Sequence, residues 1–135
     1  IGCTHAVVND MIHSALNNEP LDLSGIPANR RTHCVYAKDS AQATCALLMA
    51  DRPLSHHIYN VSSGSNPTMQ EIADAVTDVI PGARITLGPP SDIKAHNMVD
   101  RSLRMDRIKE EVGFVPKSVR EGIQAYVTYL RTGEY

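Results

Sequence analysis

The sequence predicts an α/β protein in which short parallel strands alternate with helices and a small helical portion closes the chain. Three observations carry this. Apolar stretches of strand character recur at 33–37, 57–61 and 83–87, the first leading directly into a helical pattern and the second reaching one across a polar turn. Two capping boxes, Thr68-Met69-Gln70-Glu71 and Ser118-Val119-Arg120-Glu121, open helices. Beyond residue 103 the pattern turns helical.

The first element runs from Thr4 to about Leu16. Val7, Val8, Met11, Ile12, Ala15 and Leu16 recur on one helical face, and Thr4 is placed to cap the first turn. After Glu19-Pro20 the alternation of Leu21 and Leu23 predicts a very short strand. Ser24-Gly25-Ile26-Pro27 should end it as a loop carrying Arg30 and Arg31. His33 to Ala37 reads as a mostly buried strand, with Asp39 as N-cap of an alanine-rich helix to about Ala50. His57 to Val61 reads as a strand, 62–67 as a polar turn, and Thr68 opens a helix that Pro81-Gly82 stops near Ile80. Ala83 to Leu87 is the next strand, ended by Gly88-Pro89-Pro90-Ser91-Asp92. A short extended stretch is expected near Met98 to Leu103, then a small helix begun by Asp106 and a turn through Val112-Gly113-Phe114-Val115-Pro116. A final helix buries Val119, Ile123, Tyr126, Val127 and Leu130.

With 135 residues and 42% apolar content the chain can bury one core, not two. A formal charge of −2 with scattered Lys and Arg provides neither a basic stripe for nucleic acid nor a polybasic membrane patch, leaving a small molecule or a protein as partner. No apolar run approaches the ~20 residues a bilayer crossing needs, and no signal-peptide pattern is present, which fits a soluble cytoplasmic protein. Cys3, Cys34 and Cys45, odd in number and irregularly spaced, read as reduced, buried thiols. The chain enters a helical pattern within four residues of Ile1, as a cut end would.

Familiar catalytic patterns are missing. No cluster of glycines follows a strand where a pyrophosphate could approach a helix amino terminus, and neither a phosphate loop nor a nucleophile elbow is present. A short-chain dehydrogenase uses a Tyr with a Lys four residues later, whose ammonium lowers the phenol pKa. Four residues after Tyr36, Tyr59, Tyr126 and Tyr129 stand Ser40, Ser63, Leu130 and Gly133. His56-His57, Cys3-x-His5 and His33-Cys34 lack partners at metal-ligand spacing, so no metal site is expected. Arg30-Arg31, before a strand, is the best anion-binding candidate, because a guanidinium fork matches a phosphate or carboxylate. Asp39 reads as a helix cap rather than a catalytic acid.

Three blocks, in order over nearly the whole chain, resemble the late part of the extended short-chain dehydrogenase/reductase family, the NAD(P)-dependent epimerases/dehydratases. The segment Arg31 to Ala43 is similar to that family's strand, aspartate and alanine-rich helix. Ile58-Tyr59-Asn60-Val61-Ser62-Ser63-Gly64, followed by Thr68, Glu71 and Ile72, resembles its Tyr-Asn-Val-Gly-x-Gly, Thr and Glu-Leu pattern. Asp106-Arg107-Ile108, Val112 to Pro116 and Glu121-Gly122-Ile123 resemble its closing Leu-Gly-Phe/Trp-x-Pro motif and helix.

The resemblance implies that residues 1–135 are the C-terminal, substrate-binding portion of a Rossmann-like enzyme whose N-terminal dinucleotide-binding half is absent. The parent would bind NAD or NADP in that half and act on a sugar or nucleotide sugar as an epimerase, dehydratase or dehydrogenase, with a homodimer as one expected assembly. This chain alone would bind no cofactor, carry no catalytic residue and be inactive. The residues implied for substrate binding are Arg30 and Arg31 near the phosphate, Leu21 and Leu23 beside the base, and Asp92. Where many members have an Arg before that Asp, this chain has Pro89-Pro90-Ser91, a departure that bears on a nucleotide-diphosphate sugar. The rival reading is a non-catalytic small-molecule-binding or regulatory module of the same architecture.

Overall fold

A computed structural model describes residues 4–92 and 103–133. Its elements are α1 (Thr4–Leu16), β1 (Pro20–Pro27), α2 (Ala37–Leu48), α3 (Met69–Val79), β2 (Arg84–Gly88), α4 (Asp106–Val112) and α5 (Val119–Thr132). The class is α/β, as the sequence implies. No helix among the described residues is long and apolar enough to cross a membrane.

β1 and β2 form a two-stranded parallel sheet, with Leu21 opposite Ile85 and Leu23 opposite Leu87. These four side chains are half-buried against the main core, whereas Asp22, Arg84 and Thr86 between them are exposed, the period-two alternation of a one-sided sheet. β1 runs on to Pro27, past the loop expected at 24–27, because the ladder shifts register between Leu23 and Pro27 and resumes with Pro27 opposite Gly88. Glycine is required there. A Cβ on Gly88 would lie 2.3 Å from the Ser24 carbonyl oxygen. Inside the bulge the Ser24 N–H donates to Asp22 Oδ1 at 2.8 Å, which holds the Asp22 carboxyl below its ordinary value.

The main core brings together Met11, Ile12 and Ala15 of α1, Met69, Ile72, Ala73 and Val76 of α3 with Ile80 just beyond it, and Ile123 and Val127 of α5. Both predicted capping boxes are present: Thr68 Oγ1 accepts from Glu71 N, Ser118 Oγ accepts from Glu121 N, and each glutamate reaches back to its cap residue's N–H. A second, smaller core joins Ala43 of α2, Ile108 of α4 and Phe114, with Leu47, Tyr59, Val61, Met105 and Val112 around it. Gly113, at φ 67°, ends α4 in the left-handed conformation.

Several expectations are corrected. Neither 33–37 nor 57–61 is a strand, because among the described residues neither has a regular ladder partner; Ala37 already belongs to α2. Asp39 does not cap α2. The cap position is Tyr36, with no side-chain bond, and the Asp39 carboxylate is buried and turned to Lys117 instead. Cys34 is half-buried as a free thiol, but Cys45 is an exposed one, since it shares the outward face of α2 with the exposed Ala41, Leu48 and Met49. Cys3 and the extended stretch expected from Met98 up to Leu103 lie outside the described residues, apart from Leu103 itself, which has no regular structure.

Candidate functional site

The turn after β1 carries the arginines, and three backbone bonds fix it. Ala28 N donates to Gly88 O at 3.0 Å, while Gln70 N and Met69 N, at the start of α3, donate to Ala28 O and Arg30 O at 3.0 and 2.8 Å. Two amino-terminal N–H groups of α3 are therefore used by this turn, and the next, Glu71 N, by Thr68. That helix end is closed to an anion; the arginine side chains are what the turn offers.

Asn29 ties the turn to the loop after β2. Its Nδ2 donates to Ser91 O at 2.9 Å and its Oδ1 accepts from Ser91 N at 3.0 Å, a reciprocal pair across 62 positions. This brings the stretch bearing Arg30 and Arg31 beside the one bearing Asp92. Between them lies a shallow cleft of about 480 Å³ bounded by Asn29, Thr68, Gln70, Leu87, Gly88 and Pro90. Arg30 is exposed. Arg31 is exposed as well, but its Nη1 is anchored on Asn66 O at 2.6 Å. Asp92 is exposed at the end of the described stretch. None of Arg30, Arg31, Asp92, Leu21 and Leu23 is among the residues that bound this cleft: the first three stand beside it, and the two leucines pack on the main core.

Two polar clusters were not anticipated. In the first, Asp39 accepts from Lys117 N and from Lys117 Nζ, and the ammonium lies 5.5 Å from the centroid of the Tyr36 ring. A signal existed: Asp39 precedes Ala43 and Leu47 at four-residue spacing, on the buried face of α2, where a carboxylate needs a partner. In the second, Glu111 accepts from Tyr59 Oη at 2.8 Å and Ser55 N at 3.0 Å, and its other oxygen meets His56 Nδ1 at 2.5 Å. These bonds, led by that of His56, hold the Glu111 pKa at about 2. Burial, followed by the bond to Glu111, pushes the Tyr59 hydroxyl up. A carboxylate so firmly ionised and a phenol so reluctant to ionise make a strut rather than an acid–base pair.

A separate apolar groove of about 430 Å³ runs between α1, the segment 34–37 and the start of α5. Burial raises the pKa of the Cys34 thiol on its wall, opposed by Ser63, so that thiol is a weak nucleophile. The groove contains none of the five residues proposed for substrate.

No known protein family matches the sequence, and no curated protein does. Solved structures do match. UDP-glucose 4-epimerase from Thermotoga maritima, in a structure with UDP-glucose, superposes over 94% of this chain and 40% of its own with a TM-score of 0.70 and 22% identity. The Bordetella bronchiseptica enzyme WbmF, with NAD+ and UDP, covers 94% and 37% at a TM-score of 0.73 and 19% identity. UDP-N-acetylglucosamine 4-epimerase from Bacillus cereus covers 92% and 42% at 0.71 and 20%. The chain spans about 40% of the length of the epimerase from Thermotoga maritima. It shares the fold of the corresponding portion of these three structures.

Proposed function

We propose that this chain is the substrate-binding part of an NAD(P)-dependent sugar epimerase/dehydratase or dehydrogenase, taking a sugar or nucleotide sugar, and that it does not transfer hydride alone. The observation that carries the reading is the likeness, over nearly all of the chain, to an epimerase solved with UDP-glucose. The turn beside the cleft supports it: Arg30 and Arg31 stand on backbone fixed by hydrogen bonds and carry guanidinium groups suited to a phosphate.

Among the described residues, those around the cleft do not fit the cofactor. Pyrophosphate recognition needs glycines that let the backbone approach at a free helix amino terminus. Here Gly88, the glycine beside the cleft, faces the Ser24 carbonyl, and the α3 amino terminus is used by the 28–30 turn. The dinucleotide and the acid–base pair are therefore assigned to residues outside these 135.

Calorimetric titration with UDP, UDP-glucose, glucose, NAD+ and NADP+ tests the reading. UDP or UDP-glucose should bind saturably and depend on Arg30 and Arg31. Saturable NAD+ or NADP+ binding without nucleotide-sugar binding would reverse the assignment.

A further inference from the structure

The chain after β2 has few groups by which to be held. Gly88 is the last residue of the ladder, and Pro89 and Pro90, which follow it, have no backbone N–H to donate. Ser91 N is therefore the first backbone donor on the way to Asp92. Asn29 meets it: its Oδ1 accepts from Ser91 N at 3.0 Å while its Nδ2 donates to Ser91 O at 2.9 Å. A carboxamide carries a donor and an acceptor side by side, so it matches both backbone groups of one residue, as a neighbouring strand would. The reciprocal pairing also fixes which way the amide faces. Turned over, it would set donor against donor and acceptor against acceptor.

Asn29 is itself firmly placed. Arg30 N donates to Pro27 O at 3.0 Å, which closes a turn around Ala28 and Asn29, and the carbonyls of Ala28 and Arg30 accept from the start of α3. Asn29 thus precedes Arg30 in the chain and grips the residue that precedes Asp92. It also bounds the cleft, together with Pro89 and Pro90 of the loop. We infer that Asn29 is a positioning residue for the substrate: by holding Ser91 it sets the separation of the Arg30 guanidinium from the Asp92 carboxylate, and with it the size of group the cleft accepts. The role rests on the function proposed above, with Arg30 taking the anionic group and Asp92 accepting a hydrogen bond from a sugar hydroxyl. The Asn29–Ser91 pair is exposed and neither residue belongs to either core. Its loss therefore loosens the loop and leaves the fold in place.

The test is a double-mutant cycle read by calorimetric titration of UDP-glucose into the full chain. Asn29→Ala should weaken binding about tenfold while its melting temperature stays within about 2 °C of the unaltered chain. Ser91→Pro, which removes the donor and leaves Asn29 intact, should weaken binding about threefold. In an Asp92→Asn background the loss on Asn29→Ala should shrink to about twofold or less, because a positioning residue acts through the group it positions. By amide NMR the Ser91 N–H should exchange about fivefold faster in Asn29→Ala. An undiminished loss in the Asp92→Asn background would make Asn29 a direct contact or a support of the fold, and overturns the inference. Unchanged Ser91 exchange, or Asp92→Asn binding as tightly as the unaltered chain, overturns it as well. If Asn29→Ala does not fold, Ser91→Pro takes its place in the cycle. Failure of the unaltered chain to bind UDP or UDP-glucose would remove the proposed function and this role with it. Binding that Asn29→Ala leaves unchanged or tightens would remove this role alone.

Discussion

Asp39 and Lys117, 78 positions apart, are joined twice: one carboxylate oxygen accepts the Lys117 backbone N–H at 2.6 Å and the other accepts Nζ at 2.9 Å. The Asp39 side chain is 1% exposed and that of Lys117 38%. The pair ties the first turn of α2 to the residue before the cap of α5. Asp39→Ala leaves a part-buried N–H and an ammonium unpaired and should cost about 1–3 kcal/mol in urea unfolding, a range lowered for the partial exposure of Lys117. Asp39→Asn, which keeps an acceptor, should cost less. Equal losses would mean that a neutral acceptor does not replace the carboxylate, and no loss in Asp39→Ala would mean that the pair does not hold the two helices.

Glu111 makes stability sensitive to acid. Its folded pKa of about 2 lies below the ordinary 4.5, so the folded state binds fewer protons than the unfolded chain between these values. The contribution is complete above about pH 4.5 and disappears as pH falls towards 2. In unfolding curves at pH 7, 4 and 2.5, Glu111→Gln should be less stable than the unaltered chain at pH 7 and approach it at pH 2.5. A gap that stays constant with pH would show that the carboxylate charge plays no part.

Gly88→Ala should destabilise by about 1–3 kcal/mol, because the added methyl falls within 2.3 Å of the Ser24 carbonyl oxygen and the bulge must open. Thermal melting reads the loss. Gly25→Ala is the control, since nothing lies within 4 Å of its Cβ position. Similar melting of the two variants would contradict the close approach.

Arg30 and Arg31 should separate in their effects. Arg30→Ala should weaken UDP binding about tenfold with little change in melting temperature. Arg31→Ala should lower both, because its guanidinium also holds Asn66 O. Calorimetry paired with melting curves distinguishes them. Unchanged UDP affinity in both variants would remove the arginines from the site.

Local chemistry made much of the fold legible. Thr68 and Ser118 announce α3 and α5 because a capping box is written within four consecutive residues. Leu21 and Leu23 announce a strand for a similarly local reason, but their long-range packing on the core, away from the cleft, was not visible. At 33–37 and 57–61 the composition predicts strands, yet a strand is defined by its neighbour, and no described residue supplies a full ladder to either. Asp39 has the look of an N-cap, and only the distant Lys117 shows why it is buried. In the site, the arginine pair stood out by residue type. The Asn29–Ser91 link that brings it beside Asp92 spans 62 positions and had no sequence signature.

The pairing of β1 with β2 also governs the order of assembly. Pro20 meets Arg84 across a stretch that contains α2 and α3, so the sheet can close only after that loop has lost much of its freedom, whereas each helix nucleates within its own turns. Capping boxes speed the local steps and do nothing for this one. In refolding, helical signal should therefore rise before β1 docks, and the sheet that comes early in the sequence should be among the last parts to close.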